Sequence, residues 1–189
     1  MNSIPVIILV IAFGLTASVF GQARASINFD LRSDAPTSSG STRARRLTGD
    51  RPANRTTGQL ERHVFELLNA ERRKAGLSEL TWSDDIASVA RLHSENMAHE
   101  KFFSHRGTDG SMVDDRADRM GLGAWKTIGE NIAYMKGYED PAAVAVQKWL
   151  ESTAHRKNLL GPNWQESAVG VSVSDDGSFY MTQVFLLRK

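Results

Sequence analysis

The chain has 189 residues, no cysteine, 41% apolar residues, and 23 Lys and Arg against 22 Asp and Glu. That length holds one domain with extensions. The near-neutral balance excludes a whole-chain electrostatic bias toward nucleic acid, and the missing cysteine excludes a disulfide framework, so a buried core must hold the fold.

The first 25 residues read as an export leader. Ile4 to Phe13 is a continuous apolar run, and Ala23-Arg24-Ala25 is a small-x-small pattern suited to signal peptidase. The segment before the run has no Lys or Arg, so a retained membrane anchor is the alternative, Ile4 to Phe20 being nearly long enough to span a bilayer. Membrane contact is expected only through such an uncleaved leader. Residues 26–58 are rich in Ser, Thr, Arg, Pro and Gly. They lack the apolar periodicity that would offset ordering entropy and are expected to form a disordered linker. Arg43, Arg45, Arg46, Arg51 and Arg55 are read as solvated, with contact to an anionic envelope surface as the rival reading.

The folded domain is expected over 59–189. Leu60, Val64, Leu67, Leu68 and Glu71 recur at helical spacing, and Gly76 is a natural stop. Ser83 is placed to cap a second helix carrying the stripe Ile86, Val89, Ala90, His93 and Met97. Ser111 with Asp114 resembles a capping box for a third helix closed by Gly121. Asp140-Pro141 opens a fourth, with Val144, Ala145, Lys148, Trp149 and Ser152 on one flank. Val169, Val171 and Val173 alternate with small residues, Asp175 to Ser178 is a turn, and Phe179 to Leu187 is a second extended run, together a β-hairpin. Helices followed by a terminal hairpin, without repeated βαβ units, imply an α+β domain.

Three residues stand out chemically. His105, in KFFSHRGTDG, follows two phenylalanines that would anchor its loop to the core. Glu130, in TIGENIAY, sits among apolar neighbours, where a carboxylate needs a partner. His155 lies in WLESTAHRKNLL, near the end of the fourth helical pattern. Their spacing fits no single-helix metal motif, so any shared site must be assembled by the tertiary fold. His93 falls on an apolar stripe and reads as a hydrogen-bonded core residue. His63 and His99 lie among charged residues and read as solvated.

LLNAERRKAGLSEL, ARLHSENMA, FFSH, GENIAY, WLESTAHRKNLL and YMTQVF occur in the order in which the CAP superfamily carries such stretches. From about residue 60 onward the chain resembles that family, which groups cysteine-rich secretory proteins, antigen 5 and pathogenesis-related proteins and is also called the SCP domain. The missing cysteines fit its bacterial branch. The resemblance implies an α-β-α sandwich with a small antiparallel sheet, and a cleft lined by His105, Glu130 and His155. Two positions depart from the eukaryotic pattern: Ser152 stands where a second glutamate is common, and Tyr180 where a histidine precedes Thr-Gln.

The expected function is that of a secreted or envelope binding module for an unknown extracellular ligand (a lipid, a peptide or an envelope component), with no nucleic-acid partner. The rim is placed at 106–126, with Met112, Val113 and Trp125. The alternative is a metal-dependent hydrolase of extracellular peptide or cell-wall substrates. In it His105 and His155 would ligate a divalent metal such as zinc, and Glu130 would be the catalytic base. Two protein ligands are fewer than catalytic zinc takes, so weak binding is expected.

Overall fold

A computed structural model describes residues 55–189 in full and 25–29 by their backbone. The leader up to residue 24 and the expected linker from 30 to 54 lie outside the described residues. The elements are β1 (Ala25–Phe29), α1 (Thr57–Lys74), β2 (Thr81–Trp82), α2 (Asp84–Glu100), α3 (Val113–Arg119), β3 (Trp125–Met135), α4 (Pro141–Glu151), α5 (Thr153–Leu159), β4 (Glu166–Val173) and β5 (Phe179–Arg188).

The five strands lie in the order β1-β3-β5-β4-β2. The inner three are antiparallel, and the two outer strands join in parallel. The expected hairpin is β4-β5, and β5 is the central strand. The start of the stretch read as a linker is instead the edge strand β1. ASINF alternates apolar and polar residues, a period-2 pattern that suits a strand.

The helices form two layers, giving the α-β-α sandwich. Alternation along β3 shows which layer meets which side chains. Ile128 and Ile132 pack with Ile86, Ala90 and Met97 of α2. Ala133 and Met135 pack with Leu60 and Val64 of α1 and Trp149 of α4. From Thr127 onward, even-numbered residues of β3 thus face α2 and α3, and odd-numbered ones face α1, α4 and α5.

Local chemistry sets the helix ends. Thr56 and Gln59 make a capping box on α1, which begins two residues ahead of Gln59. Gly76, with φ +73°, follows its end as expected. Ser83 and Asp140 cap α2 and α4. The cap of α3 falls one residue later than Ser111 and Asp114 implied: the Met112 amide donates to Asp115 Oδ2 at 2.9 Å. Ser111 instead bonds Asp109.

The buried stripe of α1 runs through Glu61, Asn69 and Arg72 as well as Leu60, Val64 and Leu68. Each polar member is answered. Glu61 receives Arg91 and the Val171 amide. Asn69 bonds the Leu80 backbone at both its amide and its carbonyl. Arg72 donates to the carbonyls of Ser78, Leu159 and Gly161. A buried guanidinium with no carboxylate is offset here by carbonyls at the C-terminal end of α5.

Candidate functional site

Glu130 is the hub. It lies mid-strand in β3, is fully buried, and points toward α2 and α3. Its Oε1 accepts from His105 Nδ1 at 2.6 Å and its Oε2 from Arg116 Nη2 at 2.6 Å. Burial pushes the carboxyl upward, but the His105 hydrogen bond and the Arg116 charge outweigh it and hold the group below the ordinary carboxylate range.

His105 is carried by the loop after α2. Phe102 packs edge-on against His93 and Phe103 against Tyr134, so the two phenylalanines fasten the loop as expected. Arg116 closes it from the other side, donating through Nη1 to the carbonyls of His105 and Ser111. His105 Nε2 is buried and makes no hydrogen bond among the described residues. His93 is wholly buried, with Nε2 donating to the Ser104 carbonyl at 2.9 Å, the core role expected of it. Burial pushes it down to about 4, with the neighbouring charges of Glu130, Arg116 and His105 partly cancelling.

His155 does not join them. Its carbonyl accepts from Asn131 Nδ2 at 3.3 Å, and Asn131 points to the α5 side of β3. From the same layer Asn158 Nδ2 donates to the Glu130 carbonyl and to Asn131 Oδ1, both at 3.1 Å. Glu130 and Asn131 are consecutive on a strand, so their side chains take opposite faces. The expected cleft of His105, Glu130 and His155 is therefore corrected: the sheet runs between Glu130 and His155. The physical reason is a break at Ser152, whose extended ψ of 123° ends α4 and starts α5. That break turns His155 onto the inner side of α5, where it is buried. Ser152 goes with it to the α4-α5 layer.

His105 and His155, the residues expected to share a metal, thus stand on opposite sides of β3. Among the described residues no three His, Cys, Asp or Glu side chains gather as a metal site would need. The cation beside Glu130 is the Arg116 guanidinium, so the residues present do not fit a metal there.

Tyr180 shares the Glu130 face but lies four residues along the sheet, roughly 13 Å away at strand rise. There it pairs with Tyr134, rings 5.0 Å apart, beneath an open recess of about 700 Å³. Glu95, His99, Lys101 and the Ser172–Asp176 turn complete the recess wall. His99 is exposed, as expected, and His63 is only half-buried, near Glu66 and Asp140. Two proposed rim residues are core instead: Val113 and Trp125 are buried against α2. A bulge between Trp125 and Thr127 turns the indole inward.

Arg116 was missed by sequence reasoning. Its signal was a charge at i+3 from Val113 and next to Ala117, on the buried stripe of a short helix.

A family model described as the cysteine-rich secretory protein family, CAP, matches residues 65–185. The Bacillus subtilis proteins YkwD and YlbC are 38% and 39% identical over 67% and 68% of this chain. The chain spans less than half of each, 46% and 34%, and YlbC is described as a membrane protein. An extracellular SCP-domain protein from Bacillus anthracis is 34% identical, with TM-score 0.59, over 70% of this chain and 43% of that one. An outer surface protein from Borrelia burgdorferi, 19% identical, superposes with TM-score 0.64 over 71% and 96% of the two chains and bears on the fold alone.

Proposed function

This chain belongs to the cysteine-rich secretory protein (CAP) family, and from that premise we propose that it is an exported, non-catalytic binding module. Export is supported by the apolar leader and by the extracellular and membrane descriptions of its relatives from Bacillus. The absence of a catalytic role is carried by one observation: both oxygens of the fully buried Glu130 are taken by Arg116 and His105. A carboxylate so held is neither free to take a proton from water nor open to substrate. The trio acts as a brace that ties the His105 loop and α3 to β3. Ligand contact then falls to the open recess over Tyr134 and Tyr180, whose aromatic floor and charged wall suit an amphipathic extracellular molecule.

The test is a pair of substitutions at Glu130. Glu130→Ala leaves Arg116 buried without its counter-charge and should cost about 3–5 kcal/mol in urea unfolding. Glu130→Gln keeps an acceptor for His105 and should cost less. Neither variant nor the wild type should hydrolyse casein or peptidoglycan, with or without zinc. Zinc-dependent hydrolysis by the wild type, lost in Glu130→Gln at unchanged stability, would replace the brace with a catalyst.

A further inference from the structure

We propose that the recess over Tyr134 and Tyr180 takes an organic cation, the charged end of its ligand being an alkylammonium group held against the two rings. The inference rests on the reading of that recess as the ligand site and names the chemistry of what enters it.

The recess exists because the sheet outruns α2. Tyr134 pairs with Tyr180 across β3 and β5, and Tyr180 with Ser172 across β5 and β4, so the three form one row across the sheet. Deeper in the domain α2 covers this face. Its Ser94 bonds the Gly170 carbonyl and the Thr182 hydroxyl, and its Met97 packs with Ile132 and Tyr180. α2 then stops at Glu100, and Ala98 and Lys101 bring its end to the recess wall. The C-terminal end of a helix is partially negative, which favours a cation beside it.

The lining favours the same sign. Its floor is two tyrosine rings 5.0 Å apart, and the face of an aromatic ring attracts positive charge. Of the carboxylates on the wall, Asp176 is taken up within the turn by Lys136, Ser174 and Ser178. Glu95 and Asp175 are exposed and make no hydrogen bond or ion pair among the described residues. Two free carboxylates therefore face the single ammonium of Lys101. Val173, 43% exposed, adds apolar surface for the alkyl groups of such a cation. A metal ion is the wrong cation here, because among the described residues no three metal-ligating side chains gather. Positive charge spread over a polyatomic group, read by ring faces and by carboxylates at a distance, suits a space of about 700 Å³.

Three probes of one shape test this: choline, the uncharged alcohol with carbon in place of its nitrogen, and the carboxylate carrying the same tert-butyl group. Each is titrated into the full-length chain, kept soluble in a non-ionic detergent at about pH 8, where imidazole is ordinarily neutral. The readout is NMR of the three tyrosine rings. Choline should shift Tyr134 and Tyr180 and leave Tyr138, which packs on the other face of the sheet, unmoved. It should bind about tenfold tighter than the alcohol. Glu95→Gln combined with Asp175→Asn should reduce that preference to about threefold, and Lys101→Gln should enlarge it. Equal binding of choline and the alcohol at these rings would overturn the cation and leave the recess as the ligand site. So would tighter binding of the carboxylate, or a preference unchanged in the double variant. No shift of Tyr134 or Tyr180 with any of the three would overturn both the cation and the recess.

Discussion

The Glu130 carboxylate, the Arg116 guanidinium and the His93 imidazole show how charge is tolerated in this core: two are paired and the third is kept neutral. His93 has its Nε2–H on the Ser104 carbonyl, and its pKa falls from 6.5 to about 4 through burial. A histidine depressed in the fold contributes stability that is complete above about pH 6.5 and is lost as pH falls toward 4. Glu130, also lowered, adds loss in the same direction below its ordinary 4.5. Stability should therefore drop between pH 6.5 and 4 by at most about 3 kcal/mol from His93 alone. His93→Gln keeps a donor for the Ser104 carbonyl and should flatten that part of the pH profile, read by urea unfolding at several pH values. An unchanged slope in the variant would assign the loss to other groups. Glu130 and His105 were legible as residues because a carboxylate between Ile128 and Ile132 demands a partner. Arg116 was not, since a charge in a seven-residue helix looks like a solvated face until the sheet covers it.

Elements were read best where one period runs unbroken. α1, α2 and the β4-β5 hairpin follow from spacing and caps. β3 did not: WKTIGENIAYM is buried on both faces, so it shows neither clean alternation nor a helical stripe. The break between α4 and α5 was also hidden, because a single extended residue at Ser152 leaves the composition on either side helical. That one dihedral decides where His155 goes, which is why a motif in the right order still gave the wrong neighbour. The packing of α2 on β4 was equally invisible, and it rests on Gly170. A Cβ built there would lie 2.2 Å from the Arg91 amide nitrogen and 2.3 Å from the Ala90 carbonyl carbon. Backbone cannot swing aside as a side chain can. Gly170→Ala should force α2 from the sheet and cost about 3 kcal/mol or more, measured as a fall in the urea midpoint. A variant as stable as the wild type would mean that α2 does not sit this close.

For the molecule as a whole, the α+β class and the sandwich were legible from helices leading into a hairpin, while the partition of the motif residues between two faces was not, because it depends on strand parity. The ties that hold the sandwich are long in sequence. Glu61 reaches Val171, Arg72 reaches Gly161, and Ser94 bonds both Gly170 and Thr182. β5, the last strand of the chain, is the middle strand of the sheet. A chain stopped at Val173 should consequently show no cooperative unfolding and should be digested rapidly by trypsin; a protease-resistant product would mean that the layers can close without their centre. The position of β5 also sets a clock. While the chain is being synthesised, α1, α2 and β3 emerge before the strand they close upon, and the sheet cannot assemble until β5 has left the ribosome. Contacts so distant in sequence form slowly.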